Sequence, residues 1–180
     1  HPATLKKTPP HFLPLPPPFL TFDKIPIPTR PTRHPKQPYP MASNTAEALR
    51  RIQENKRTKS KILDLSGLGL TELPEELWDC VWVEELGLGY WYSWNEEEQE
   101  WAWDDSDGKM ANHLTTLPIT FSNFPNLTRL LLDNNQLRDI SVLSSLSDLT
   151  NLSLDGAPIS DISVLSNLPQ LTHLSLRRTQ

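Results

Sequence analysis

The sequence has 180 residues, a net charge of −5, 18 prolines and a single cysteine, and these totals conceal two unlike parts. Residues 1–40 hold thirteen of the prolines, six basic residues and one acid, so residues 41–180 carry a net charge of −10 and are not expected to bind a nucleic-acid backbone. One cysteine excludes an intramolecular disulfide and a CxxC metal pair, and no apolar run reaches the roughly 20 residues of a membrane helix, so a cytoplasmic location without a membrane partner is expected.

Residues 1–40 contain no Gly, Ser, Asn, Val, Glu or Met, and a disordered, Pro-rich segment is expected there. The stretch "PHFLPLPPPFL" is too broken by proline to form the apolar core of a signal peptide. Met41 followed by "ASNTAEALRRIQENK" reads as the polar start of a cytosolic protein. The prefix is then either upstream sequence joined to that start or a polyproline II linker with one PxxPx(basic) match at Pro28, Pro31 and Arg33.

Residues 41–60 carry a helix signature. Asn44 can cap, Glu47 completes a capping-box pattern, and Ala46, Leu49 and Ile52 form a narrow apolar stripe, which predicts a helix from about Thr45 to Lys56. The basic residues Arg50, Arg51, Lys56, Arg57, Lys59 and Lys61 read as a solvated face favoured by the helix dipole.

From residue 61 to 180 the chain repeats itself. "LTRLLLDNNQLRDISVLSSLSD" from Leu127, "LTNLSLDGAPISDISVLSNLPQ" from Leu149 and "LTHLSLRRTQ" from Leu171 align without gaps at a spacing of 22. The alternating leucines of each LxxLxL predict a short strand with one buried face. Upstream, Leu63, Leu65, Leu70, Leu73 and Leu77 fill the same slots, and Val83, Leu86 and Leu88 open a second repeat that then loses its frame. The frame returns at Leu114, Leu117, Pro118 and Phe121, so an insertion is expected at about residues 91–111.

That insertion lies in "GYWYSWNEEEQEWAWDDSDGKMANHL", which holds four of the six Trp and seven of the 22 acids. "YWYSW" and "EWAW" alternate and are joined by "NEEEQ", which predicts a β-hairpin standing off the edge of the repeats, its ends close together. Either its aromatic residues only hold it to the repeats, or Trp91, Trp94, Trp101 and Trp103 recognise a partner that Glu97, Glu98 and Asp104, with the neighbouring acids, steer into place.

The pattern LxxLxLxxNxLxxL, met by Leu127, Leu130, Leu132, Asn135, Leu137 and Ile140, resembles the leucine-rich repeat family. The resemblance implies an α/β fold, a right-handed solenoid whose strands line a concave face, with the helix of residues 41–60 as its N-terminal cap through Leu49 and Ile52. It further implies that "LPEEL" and "LPITF" are ordinary convex segments, and that "DISVLSSL" and "DISVLSNL" are the shorter turns of internalin-like 22-residue repeats. The Asn slot is kept by Asn135 and can be filled by Asn112, but Leu68, Ala157 and Thr179 take the others, so a patchy ladder and marginal stability are expected. Leu171, Leu174 and Leu176 have no following repeat, which reads as a C-terminally truncated fragment.

No catalytic set is placed by this fold: His113 and His173 sit in repeats, and His1, His11 and His34 sit in the prefix. Gly67-x-Gly69 and Gly87-x-Gly89 do not extend to a nucleotide loop and read as turn glycines. "DDSDGK" misses calcium-loop spacing, Asn126 and Asn151 are only formal glycosylation acceptors, and Cys80 takes an apolar slot. No cofactor, metal or small-molecule substrate is therefore expected.

What remains is surface. The residues between strand leucines should form an exposed concave column, in which Arg129, Leu131, Asp133, Asn151, Ser153, Asp155, His173 and Arg177 are the candidates for contacting a protein partner. On that register Leu152→Asp should unfold the C-terminal repeats, whereas Ser153→Asp should not. The leading expectation is a non-enzymatic protein-interaction module from a longer cytosolic protein. "EALRRIQENKRTKSKILDLSGLGLTELPEEL" is similar to the repeat regions that precede the GTPase domain of Roco proteins. The alternatives are the targeting region of such a GTPase or of a ubiquitin-ligase effector, with catalysis beyond Gln180, and an internalin-like adhesion protein.

Overall fold

The computed structural model describes residues 44–90, 92–95, 97–103 and 109–179, with Ser93, Trp94 and Trp103 through their backbone. The Pro-rich segment, and the disorder or linker conformation expected of it, lies outside the described residues, as do Trp91 and Asp104.

Helix α1 spans Thr45–Thr58. Asn44 Oδ1 accepts from the Glu47 N–H at 3.3 Å, but the return half of the capping box is not made. The Asn44 N–H donates instead to Leu68 O at 2.9 Å, and the Glu47 carboxylate goes to Arg50 and Arg51 one turn on. The buried stripe is Ala48, Ile52 and Asn55, with Ala46 exposed and Leu49 half-buried, which corrects the expected Ala46–Leu49–Ile52 face. Asn55 sets this rotation. Its Nδ2 donates to Ser60 O at 3.0 Å and Ile62 O at 2.9 Å, and its Oδ1 accepts from the Trp82 indole at 2.9 Å, so one buried amide ties α1 to the first two repeats.

Five short strands, β1 (Ile62–Asp64), β2 (Glu85–Gly87), β5 (Arg129–Leu131), β6 (Asn151–Ser153) and β7 (His173–Ser175), form one parallel sheet in that order. A leucine spine records the repeat: Leu63 pairs with Leu86, Leu86 with Leu130, Leu130 with Leu152, and Leu152 with Leu174. The register skips the inserted residues between β2 and β5, as the leucine spacing predicts. Opposite the sheet lie the 3₁₀ segments Glu75–Asp79, Ile119–Asn123, Ser141–Ser145 and Ser163–Asn167. "LPEEL" and "LPITF" thus adopt the same five-residue 3₁₀ form as the "DISVL" turns. Leu77, Phe121 and Leu143 fill equivalent buried slots between sheet and turns, and Cys80 is buried there too.

The side-chain amides make the ladder where they exist. Asn112 Oδ1 accepts from Leu70 N–H at 2.8 Å while its Nδ2 donates to Leu65 O at 3.0 Å and Leu88 O at 2.9 Å. Asn135 bonds Leu114 N–H, Leu88 O and Leu132 O, each at 3.0 Å. Asn112 therefore restores, after the interruption, the backbone ties that the second repeat would otherwise lose. The basic run behaves as a paired surface: Arg50 and Arg51 meet Glu47, Lys56 meets Asp79, Arg57 meets Glu54, and Lys61 meets Glu84.

Candidate functional site: a hairpin laid on the concave face

The insertion forms β3 (Tyr92–Asn95) and β4 (Glu100–Trp103), an antiparallel hairpin that pairs Tyr92 with Trp103, Ser93 with Ala102, Trp94 with Trp101, and Asn95 with Glu100. Asn95 Oδ1 closes the turn by accepting from the N–H groups of Glu97 at 2.9 Å and Glu98 at 3.2 Å. Glu97, Glu98 and Glu100 are exposed at that tip. The two ends of the insertion meet at Gly67, whose N–H donates to Gly89 O at 3.0 Å and whose carbonyl accepts from Met110 N–H at 2.9 Å.

The hairpin does not stand off the edge: it lies on the concave side. The Trp101 indole N–H donates to Glu85 Oε2 at 2.7 Å, and its ring passes over Gly87. A Cβ at Gly87 would meet Trp101 at 2.4 Å and Ser66 Oγ at 2.8 Å, so the missing side chain is the seat of the indole. A Cβ at Gly89 would lie 2.1 Å from Asp133 Oδ1, and Asp133 Oδ2 accepts from the Tyr90 N–H at 2.9 Å. These two glycines are therefore spaces for neighbours. Gly67 and Gly69, with φ of +71° and +67°, are the turn glycines.

The consequence for the concave column is a correction. Leu131, Asp133 and Ser153, expected to be exposed, are 8%, 0% and 5% accessible, and Ser66 is 4% accessible. Leu131 is the strand neighbour of Gly87, so this buried leucine in a polar column stands beside the seat of the Trp101 ring. Tyr92 is carried to the same face: burial, reinforced by the charges of Asp155 and Asp133 and opposed by Arg177, pushes its hydroxyl above the usual tyrosine range.

The remaining candidates sort by exposure. Glu97, Glu98, His173 and Arg177 are exposed, while Trp101, Arg129, Asn151 and Asp155 are half-buried. Arg129 Nε sits 3.5 Å from Glu85 Oε2, so Glu85 serves both the guanidinium and the Trp101 indole. Asp155 accepts from the Ser175 hydroxyl and the Arg177 N–H, both at 2.6 Å, and His173 Nδ1 lies 2.9 Å from Thr172 Oγ1. Trp94 and Trp103 take their places through the backbone pairing of β3 and β4. Tyr90 and Tyr92 are the contributors that sequence reasoning missed, whereas Glu85, one of the residues between strand leucines, was already in the expected concave column. The signal for the two tyrosines was the pair of glycines and the leucine standing in concave slots.

Among the described residues no group of three or more His, Cys, Asp or Glu side chains is arranged to hold a metal ion, and no helix is long and apolar enough to cross a membrane. No protein-family model matches the sequence, and no curated protein matches it. Solved structures do. An internalin (inlF) from Listeria monocytogenes strain 4b F2365 superposes with a TM-score of 0.55 at 24% identity over 74% of this chain and 36% of that one. Internalin C2 from the same strain gives a TM-score of 0.50 at 29% identity, covering 66% of this chain and 42% of that one. The leucine-rich repeat domain of APL1B gives 0.50 at 18% identity, covering 76% of this chain and 34% of that one. The chain thus spans roughly two-fifths or less of the length of these structures. The leucine spine, the parallel sheet backed by 3₁₀ turns and these neighbours identify the chain as a leucine-rich repeat protein in fold.

Proposed function

We propose that this chain is a non-enzymatic protein-interaction module of the cytoplasm, which recognises its partner with the outer side of the inserted hairpin and the strand rim beside it. The observation that carries this reading is the placement of the hairpin. An insertion in a solenoid can be tolerated anywhere on a loop, but this one is held over the concave face by a half-buried indole and its charge-assisted hydrogen bond, with its acidic tip turned outward. Exposed Glu97, Glu98 and Glu100 favour encounter with a basic protein surface, and His173 and Arg177 mark the rim farther along the sheet. Trp91 and Asp104, outside the described residues, belong to the same proposed surface by sequence. A role as the targeting region of a larger enzyme uses the same surface.

Site-specific photocrosslinking tests this. A benzophenone side chain at Glu98 or His173 is expected to give a discrete protein adduct in the native cytosol, reduced by added salt at Glu98. The same group at Ile119, 76% accessible on the 3₁₀ side, is expected to give none. Equal adducts at all three positions, or none at Glu98 and His173, would sink the assignment.

A further inference from the structure

We infer that the hairpin is a displaceable, built-in occupant of the concave face, and that the face beneath it takes from a partner an extended segment bearing an aromatic side chain with an N–H donor. The seat has the chemistry of its present occupant. Gly87 leaves room for a flat ring, and Glu85, already beside Arg129, offers an oxygen to an N–H at 2.7 Å. Leu131, next to Gly87 in the sheet, adds a buried apolar side chain beside the ring, and Asp133 accepts a backbone N–H at 2.9 Å.

Two features say that the occupant can leave. Among the described residues β3 and β4 pair only with each other, so lifting the hairpin breaks no rung of the five-stranded sheet. The root of the insertion, Met110 bonded to Gly67 and Gly69, can stay in place while the strands beyond it move. The occupant is also imperfect. Among the described residues no group hydrogen-bonds the covered hydroxyls of Ser66 and Ser153, so an incoming segment that supplies a partner to each gains an interaction that the described part of the hairpin does not make. Intramolecular tethering compensates for this mismatch, because a tethered occupant competes at an effective concentration no free peptide reaches.

The inference rests on the interaction reading above, and its test separates the two. Trp101→Ala removes the ring and Glu85→Gln weakens its anchor. In the full chain, hydroxyl-radical oxidation of Leu131 is expected to rise about tenfold in Trp101→Ala and by less in Glu85→Gln, while far-ultraviolet circular dichroism is retained. A synthetic peptide of residues 89–109 added in trans is expected to bind Trp101→Ala about tenfold more tightly than the unaltered chain, whose seat is filled. Unchanged Leu131 oxidation in both variants, or equal peptide affinity, would overturn the inference. So would loss of the whole fold in Trp101→Ala with Leu131 still protected in Glu85→Gln, because the hairpin would then be core. A persistent adduct at Glu98 alongside protected Leu131 removes the displaceable occupant alone. Exposed Leu131 without any adduct removes the interaction reading.

Discussion

At the scale of single residues, the molecule depends on buried amides that serve several backbone groups at once. Asn112 satisfies one N–H and two carbonyls at zero accessibility, in the repeat that the insertion interrupts. Asn112→Ala leaves those three groups without partners and opens a small void, and a loss of about 2–4 kcal/mol is expected from the urea midpoint. Asn112→Asp should lose at least as much, since a carboxylate cannot donate to Leu65 O and Leu88 O, and a milder effect than alanine would contradict the assigned donors. The concave residues carry a second expectation, revised by the hairpin. Leu152 is 3% accessible and Ser153 is 5% accessible, so a carboxylate at either site is buried. Ser153→Asp is now expected to lower the melting temperature too, though less than Leu152→Asp, because the hairpin can lift whereas the leucine spine cannot. The alternation of the strand was readable from sequence; the cover over its outer face was not, since periodicity reports which residues share a face and says nothing of what lies upon it.

At the scale of elements, helix α1 shows where pattern reading stops. Its existence, start and cap were legible in Asn44 and the polar run that follows. Its buried face was not, because Asn55, a polar residue ignored by an apolar stripe, fixes the rotation through three hydrogen bonds. The same helix gives a pH prediction. Hydrogen bonds from Arg50 and Arg51 hold the Glu47 carboxyl down from its ordinary value of 4.5 to about 2. A depressed pKa means that the folded state favours the ionised carboxylate. The stabilisation is therefore present above pH 4.5 and is lost as pH falls toward 2. For a partly exposed pair its size is about 0.5–1 kcal/mol. The stability difference between the unaltered chain and Glu47→Gln should show it near pH 7 and vanish by the acid end of that window; a difference independent of pH would assign the effect to packing. The hairpin was similarly half legible. Its strands followed from "YWYSW" and "EWAW", but its docking needed Gly87, Gly89 and Leu131 to be read as complements of a neighbour, a relation that spans the insertion and leaves no local pattern.

At the scale of the whole molecule, stability is a sum of neighbour contacts along one axis, and the contacts are uneven. Leu86 and Leu130 are fully buried between adjacent repeats, with α1 covering β1 and the hairpin covering the outer face of the middle strands. The Asn ladder is uneven along that axis, since Ala157 and Thr179 stand where Asn112 and Asn135 stand earlier. The repeats of β6 and β7 therefore lack the side-chain ties that hold the earlier ones, and amide hydrogen exchange should find β6 less protected than β2. Leu152→Asp should remove protection from β6 and β7 while β1, β2 and β5 keep theirs, because each of those strands retains its own neighbours and the Asn112 and Asn135 bonds. Uniform loss of protection across all five strands would mean that the repeats and the hairpin open as one cooperative unit. In that case the hairpin would couple the strands it covers, and partner binding on the concave face would be felt from α1 to β7.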